Sequence, residues 1–215
     1  MKSLQLYIYE RVKDLPSNIK GIIVFDIDDT LLRVDPESIH VWKKNPDTGK
    51  ETSLITAEFA EDPDASDPSK RSLFDYREFR DPVIVYNSII SGTPLIKNLR
   101  IMDDYIEAGY EFCFLTARGC EDTIKKALDD FLLHKTDTGA MKKLGMVFNK
   151  TLSHAINDES KKYPGDSDAE KKANVLKMLS RKYDRVVFVD DDKKNVSAAK
   201  DLKLDNLKVI KAWNE

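Results

Sequence analysis

The amino-acid sequence predicts an α/β fold with a parallel sheet. Short runs of strand length, mainly apolar, occupy Ile22–Phe25, Tyr110–Leu115 and Arg185–Val189. The β-branched and aromatic residues in these runs favour strands over helix turns. Segments with helical spacing lie between the runs, and strands that alternate with helices form right-handed βαβ units with parallel strands.

Helical spacing and helix-capping residues place the other elements. We expect helices over 3–15, from Pro94 to a stop at Gly109, over 121–133, from a capping box at Ser167 and Glu170, and over 195–202. Two more short strands are expected over 146–148 and 207–210, and a long polar loop over 150–166. These elements complete the alternation of strands and helices.

Length and composition describe one globular domain with room for a small insertion. The chain has 215 residues, of which 41% are hydrophobic and 34% charged, and its net charge is −3. This charge gives no overall basic surface for nucleic acid. No apolar run approaches membrane-spanning length, no signal-peptide core is visible, and the two cysteines suit a reducing compartment. We therefore expect a cytoplasmic protein without a membrane partner, and no protein partner is evident.

The pattern changes over residues 34–91, which we interpret as an insertion after the first strand. Ile39–Thr56 has the pattern of a β-hairpin, with turn residues NPDTG at 45–49. Residues 61–72 are polar and contain proline, which is typical of a mobile loop. The insertion holds twelve acidic and seven basic residues, a net charge of −5, so the rest of the chain carries +2.

Polar clusters follow three of the predicted strands. Asp26 and Asp28 lie in FDIDDT, Thr116 lies in FLTARG, and residues 190–192 close FVDDD. The carboxyl ends of parallel strands meet at one sheet edge, where open α/β sheets hold their ligands. One carboxylate can attack phosphorus while a second protonates the leaving oxygen. Asp26 is therefore the candidate nucleophile, Asp28 the candidate general acid and base, and Mg²⁺ the cation expected to offset their charge.

The three clusters stand in the order of motifs I, II and IV of the haloacid dehalogenase (HAD) superfamily of phosphotransferases. FDIDDT resembles the DxDxT phosphatase form of motif I, and Thr116 falls at motif II. Asp190 and Asp191 resemble the acidic pair of motif IV, although a shift of one residue would use Asp191 and Asp192 instead.

Motif III of this superfamily is a lysine in the helix before the motif IV strand, where Lys171 and Lys172 both lie. The pattern is most similar to the 3′-phosphatase domain of bacteriophage polynucleotide kinase. In that domain the lysine precedes the acidic pair by the spacing that separates Lys171 from Asp190, which favours Lys171. An arginine after the motif II position of that domain matches Arg118.

The resemblance implies a three-layer Rossmann-like sheet formed by residues 1–33 and 92–215, with residues 34–91 as a cap. It implies an aspartyl-phosphate intermediate and Mg²⁺ as cofactor. The implied metal ligands are Asp26, the backbone carbonyl of Asp28, Asp190 and Asp191. The residues implied to hold the substrate phosphate are Thr116, Ala117, Arg118 and Lys171.

The implied activity is hydrolysis of a phosphomonoester, with a polynucleotide 3′-phosphate as the first candidate substrate. No G-x-x-x-x-G-K-[ST] motif occurs, so the kinase half of the phage enzyme is absent. Two alternatives stay open, a phosphatase of nucleotides or other small phosphoesters and a non-catalytic phosphate-binding relative. The cations expected near the acidic strand ends, where a nucleic-acid 3′ end would bind, are Lys161, Lys162, Lys193 and Lys194.

Overall fold

The computed structural model describes residues 20–65, 67–135 and 148–213. The strands of this part of the chain are β1 (Gly21–Phe25), β2 (Leu32–Arg33), β3 (His40–Lys44), β4 (Glu51–Ile55), β5 (Phe74–Asp75), β6 (Thr93–Pro94), β7 (Glu111–Thr116), β8 (Leu152–Ala155), β9 (Arg185–Asp190) and β10 (Leu207–Lys211). Its α-helices are α1 (Thr56–Glu61), α2 (Pro82–Ser91), α3 (Ile96–Glu107), α4 (Glu121–Lys135), α5 (Asp168–Ser180) and α6 (Lys193–Asp201). The helix predicted over residues 3–15 lies outside the described residues.

Five parallel strands form the central sheet, in the order β10-β9-β1-β7-β8. In the register of β1 with its neighbours, Phe25 pairs with Phe114 of β7 and with Val189 of β9. Every residue of β1 is buried, as expected for a parallel sheet covered on both faces. The predicted α/β fold with a parallel sheet is confirmed, and the arrangement is consistent with a Rossmann-like fold.

Helices cover both faces of this sheet. Phe25 lies in an apolar cluster with residues of α2, α3 and α4, whereas Val24 lies in a second cluster with residues of α5 and α6. This alternation follows from the two-residue period of a strand, which points successive side chains to opposite faces. Among the described residues, no helix combines the length and apolar character that crossing a bilayer requires.

The edge strand β8 lies later in the chain than the strand predicted over 146–148. Phe148 belongs to a short 3₁₀ helix, Phe148–Lys150, and residues 146 and 147 lie outside the described residues. Strand β8 forms within the predicted polar loop and pairs with β7, and in it Ser153 is buried and donates a hydrogen bond from its hydroxyl to Glu121 at 2.6 Å. A polar residue in a short edge strand gives no apolar alternation for sequence analysis to detect.

Helix α3 begins two residues later than the predicted start at Pro94. Thr93 and Pro94 form β6, which pairs antiparallel with β2, and the amide of Leu95 donates to the Leu31 carbonyl at 3.1 Å. The residue before a proline is disfavoured in helical geometry, so Thr93–Pro94 extends easily as a strand. This short pair joins the points where the chain leaves and re-enters the central sheet region.

Residues 34–91 contain a separate small sheet in the order β4-β3-β5. The predicted hairpin is confirmed, since β3 and β4 pair antiparallel from His40↔Ile55 to Lys44↔Glu51. Residues 61–72, predicted as a loop, include the end of α1 and most of a 3₁₀ helix, Pro68–Leu73.

Helix α2 was not predicted, although the sequence contains its start signal. Asp81 caps the helix by accepting hydrogen bonds from the amides of Val83 and Ile84, and Pro82 occupies the first helical position. Its buried residues Val85 and Ile89 belong to the same apolar cluster as Phe25 of the central sheet. The last part of the 34–91 segment therefore contributes directly to the main core.

Candidate functional site

A reversal in strand order indicates where a ligand would bind. From β1 the chain continues to β7 and β8 on one side of the sheet, then crosses to β9 and β10 on the other side. In open α/β sheets, ligands bind outside the carboxyl ends of the strands at such a reversal. The two strands that flank it are β1, which Asp26 follows, and β9, which ends at Asp190.

Three carboxylates gather at this point. Asp26, Asp190 and Asp191 each offer an oxygen, and these oxygens all lie within 4.8 Å of one another. Asp26 is 6% exposed and Asp190 is 0% exposed. Burial raises the pKa of Asp26 well above its ordinary value; Lys172 opposes this shift, while Asp190 and Asp28 add to it. Burial, with Asp190 next, also raises the pKa of Asp191 to about 6.

The cation that faces these carboxylates is Lys172. Its Nζ lies 2.9 Å from Asp26 Oδ1 and 2.8 Å from Asp190 Oδ2, and its side chain is 2% exposed. Burial lowers the pKa of this ammonium, but the charges of Asp26 and Asp190 outweigh burial, so its pKa lies above the ordinary value. Lys172 is therefore held charged between the ends of β1 and β9.

This placement corrects the choice of Lys171 over Lys172. The Nζ of Lys171 donates to Asn157 Oδ1 at 2.6 Å, and the Asn157 side chain donates in turn to the Ala117 carbonyl at 2.7 Å. Adjacent helical residues point about 100° apart, so the two lysines cannot share one direction. Sequence periodicity already indicates that Lys172 is the inward-facing lysine, because Lys172 is in helical phase with the three buried residues Val175, Leu176 and Leu179.

Arg118, implied as a phosphate contact, binds Asp28 instead. Its Nε lies 2.9 Å from Asp28 Oδ2, its Nη2 lies 2.7 Å from Asp28 Oδ1, and its Nη1 donates to Ser88 Oγ at 2.6 Å. The arginine side chain is 1% exposed and that of Asp28 is 34% exposed. A bidentate guanidinium fixes the direction of a carboxylate. Arg118, which is buried in the core, therefore holds the Asp28 carboxylate in one orientation.

The loop after β7 reaches the same sheet edge. Thr116 is fully buried and its Oγ1 accepts a hydrogen bond from the Arg118 amide at 3.2 Å. The Thr116 carbonyl accepts from the amide of Ile156 at 2.9 Å. The Ala117 carbonyl faces Asn157, as described above. Contact of Thr116 and Ala117 with a substrate phosphate stays a prediction.

Two residues without a predicted role support the carboxylates. Thr30, the threonine of DxDxT, donates from its hydroxyl to Asp191 Oδ1 at 3.2 Å. Asn195 Nδ2 lies 3.2 Å from both carboxylate oxygens of Asp190. The motif itself was a signal for Thr30, whereas the contact of Asn195 depends on how α6 folds back from the end of β9.

Asp192 has a structural role in the helix that follows. Its carboxylate accepts hydrogen bonds from the amides of Lys194 at 2.7 Å and Asn195 at 2.9 Å, which caps α6. The acidic pair of the site is therefore Asp190 with Asp191, and the alternative register with Asp191 and Asp192 is not supported.

The donor set suits a hard cation. Asp26 Oδ1 is buried and, among the described residues, has no partner in hydrogen-bond geometry, although Lys172 Nζ is in ion-pair range. Carboxylate oxygens are the ligands that Mg²⁺ and Ca²⁺ prefer. The three carboxylates of Asp26, Asp190 and Asp191 could therefore bind a metal ion. The Asp28 carboxylate lies outside this cluster, since Arg118 holds it.

Comparison with known proteins adds no family assignment. No protein-family model matches the chain, and no curated protein matches it. The case for a function therefore rests on the residues of the site and on their arrangement.

Proposed function

We propose that this protein is a magnesium-dependent phosphomonoester phosphatase of the HAD type that forms an aspartyl-phosphate on Asp26. One observation carries the proposal. The buried carboxylates of Asp26 and Asp190 share one buried ammonium, Lys172, at the reversal of strand order. Burying such a group of charges costs free energy. In the proposed enzyme, the carboxylates would bind the cation and the ammonium group of Lys172 would face the phosphate.

In the first chemical step, a carboxylate oxygen of Asp26 attacks the phosphorus atom. A bond forms between that oxygen and phosphorus while the bond from phosphorus to the leaving oxygen breaks. Asp28, in its protonated form, donates its proton to the leaving oxygen, so that an alcohol departs. Arg118 supports this step because its bidentate contact holds Asp28 in one orientation.

In the second step, water cleaves the aspartyl-phosphate. Asp28, now ionised, accepts a proton from the water whose oxygen attacks phosphorus, and the bond between phosphorus and Asp26 breaks. Inorganic phosphate is released and both carboxyl groups return to their starting states. The exposed third of the Asp28 side chain gives it access to substrate and water from the open side of the site.

Mg²⁺ is the proposed cofactor, held by Asp26, Asp190 and Asp191. When bound, it would offset the charge of the carboxylates and of the phosphate dianion. Lys172 would supply a second, fixed positive charge next to the nucleophile, which takes the motif III role predicted for Lys171. Thr116 is proposed to contact the phosphoryl oxygens.

We also propose that residues 34–91 act as the cap. Their 3₁₀ helix, Arg77–Arg80, contacts the loop after β7, since the Gly119 amide donates to the Phe79 carbonyl at 2.9 Å. A polynucleotide 3′-phosphate stays the first candidate substrate on the sequence resemblance, with nucleotides and other small phosphoesters as the alternative.

The test is phosphate release from a panel of substrates in Mg²⁺ and in excess chelator. The panel consists of 3′- and 5′-phosphorylated oligonucleotides, mononucleotides and sugar phosphates. We expect release from at least one class, and loss of release in chelator. Unchanged release in chelator, or no release from any class, would contradict the proposal.

A further inference from the structure

A large cleft separates the 34–91 segment from the carboxyl edge of the central sheet. Its volume is about 1140 Å³, above the 300–1,000 Å³ typical of small-ligand sites. The cleft reaches Ala117 in the loop after β7, and Asp192 and Asn195 beside the end of β9. It therefore opens next to the proposed reaction centre and has room for a leaving group much larger than a sugar.

Aromatic side chains form the wall of the cleft on the 34–91 side. Phe59, Phe74, Tyr76 and Phe79 all line it. Their rings meet edge to face, with 5.2 Å between the centroids of Phe59 and Phe74 and 6.4 Å between those of Tyr76 and Phe79. Phe74 is buried, but the other three are only half-buried. The rings of these three residues are therefore partly open to the cleft.

The opposite wall is positively charged. Four lysines and three aspartates line this wall, and with Arg71, Arg80 and Asp67 of the 34–91 side the whole cleft has six cationic and four anionic side chains, although the whole chain has a net charge of −3. Lys161 is paired with Glu121 at 2.6 Å and Arg80 with Glu159 at 3.0 Å. In contrast, Lys162 and Lys194 are exposed and have no carboxylate within 4.0 Å among the residues that the structure describes.

The four carboxylates of the cleft are engaged locally. Asp67 and Asp158 accept hydrogen bonds from neighbouring serines, at Ser69 and Ser160. Asp168 accepts from Asn157, and Asp192 caps α6. Their charges are partly met by these donors, whereas the ammonium groups of Lys162 and Lys194 remain available to an anion.

We propose that this cleft selects phosphomonoesters whose leaving group carries a flat aromatic base and a second phosphate. The base would stack on the aromatic wall formed by Phe59, Tyr76 and Phe79, and the second phosphate would meet Lys162 and Lys194. The inference rests on the proposed phosphatase function, because the cleft would hold the leaving group while the scissile phosphate lies at Asp26.

The experiment compares adenosine 3′,5′-bisphosphate with ribose 5-phosphate, which lacks the base and the second phosphate. Base stacking on aromatic side chains contributes about 1–3 kcal/mol per base, and each 1.36 kcal/mol is tenfold. We expect the wild-type kcat/KM for the bisphosphate to exceed that for ribose 5-phosphate by about a hundredfold. Phe59→Leu and Phe79→Leu, which keep apolar volume but remove the ring, should each lower kcat/KM for the bisphosphate about tenfold and leave ribose 5-phosphate unaffected.

The second arm removes the cations. Lys162→Gln with Lys194→Gln should lower kcat/KM for the bisphosphate about tenfold and have a smaller effect on adenosine monophosphates. Matched controls are Trp213→Leu, an exposed aromatic outside the cleft, and Lys177→Gln with Lys200→Gln, exposed cations outside it. The control variants should leave unchanged the ratio of kcat/KM for the bisphosphate to that for ribose 5-phosphate, and its ratio to that for adenosine monophosphates. Circular dichroism establishes that each variant is folded.

A binding measurement separates failure of this inference from failure of the proposed function. Calorimetric titration of the Asp26→Asn variant should show binding of adenosine 3′,5′-bisphosphate about tenfold weaker when Phe79→Leu is added. If that holds while the wild type hydrolyses nothing, the cleft assignment stands and the phosphatase proposal falls. If the wild type hydrolyses both substrates equally well, or the ring variants slow both alike, the cleft assignment is overturned and the phosphatase proposal stands.

Discussion

The carboxyl edge of the central sheet and the 34–91 segment use charge in opposite ways. At the sheet edge, the carboxylates of Asp26 and Asp190 and the ammonium of Lys172 are almost fully buried, with three acids in the cluster and one cation against them. In the 34–91 segment, whose net charge is −5, cations lie in half-buried or exposed ion pairs with carboxylates. Lys43 contacts Asp62 at 2.8 Å, and Arg77 contacts Glu51 at 2.8 Å.

This difference supports our proposal that the chemistry takes place at the sheet edge. Exposed ion pairs contribute little each, about 0–1 kcal/mol, so those of the small sheet assist folding and are satisfied without a ligand. A buried cluster with surplus negative charge is costly until a cation joins it. We therefore propose that reaction takes place at the sheet edge and recognition in the 34–91 segment, and the predictions below test that division.

Removing the nucleophile should have the largest effect. Asp26→Asn keeps the shape of the side chain but cannot form the aspartyl-phosphate, so kcat should fall more than about a thousandfold. Phosphate release measures this, and Asp205→Asn, an exposed aspartate remote from the site, is the matched control. Substantial turnover by Asp26→Asn would remove the sheet edge from the chemistry.

The lysine doublet provides the next test. Lys172→Met leaves Asp26 and Asp190 facing each other without a cation, so kcat should fall more than about a hundredfold and the free energy of unfolding should drop by about 3 kcal/mol. Lys171→Met breaks only its contact with Asn157 and should cost less than tenfold in kcat. Phosphate release and urea unfolding measure the two effects. A larger loss from Lys171→Met would restore the assignment made from the sequence.

Replacement of the proposed general acid should lower the rate most for substrates whose leaving group needs a proton. Asp28→Asn removes the proton donor, which is worth about a hundredfold or more in kcat/KM for an alkyl phosphate. A nitrophenyl leaving group needs no proton, so the same variant should lose much less kcat/KM with p-nitrophenyl phosphate, since kcat/KM reports the step in which the leaving group departs and not the later step in which Asp28 acts as a base. Equal losses with both substrates would show that Asp28 does not act as an acid.

Without metal, the raised pKa values of the carboxylates should make the stability of the protein depend on pH. Since the pKa values of Asp26 and Asp191 are raised, that of Asp191 to about 6, the folded chain binds protons more tightly than the unfolded chain. Without metal, stability is therefore lost as pH rises from about 4 to above 6. Added Mg²⁺ should raise the Tm more at pH 7.5 than at pH 5. An equal rise at both pH values, or none, would count against a metal at these carboxylates.

The smallest effect is expected in the 34–91 segment. Glu78 accepts hydrogen bonds from the amide of His40 at 2.7 Å and from Trp42 Nε1 at 2.8 Å, which ties the 3₁₀ helix Arg77–Arg80 to β3. Glu78→Ala should lower the free energy of unfolding by about 1–2 kcal/mol and shift the fluorescence of Trp42. Turnover of ribose 5-phosphate should stay within twofold. A collapse of that turnover would show that the two regions are not separable.

The sequence by itself determined four of the five strands of the central sheet, all except the edge strand β8, and the position of their polar ends. Apolar runs such as that before Asp26 can be buried only as strands covered on both faces, and the acids after them must then lie at one edge. The capping box at Ser167 and Glu170 was equally local, and it marks the start of α5 as predicted. These features were predictable because propensity, periodicity and caps act over a few neighbouring residues.

Only the tertiary structure decided which side chains meet at that edge. Periodicity places Lys172 on the buried face of α5, but only the packing of Val175, Leu176 and Leu179 against the sheet brings its ammonium group to Asp26. The inward position of Arg118 depends on Ser88 of α2, the last helix of the 34–91 segment. Such contacts join residues far apart in the chain, and their free energies depend on burial and orientation, which a local pattern does not carry.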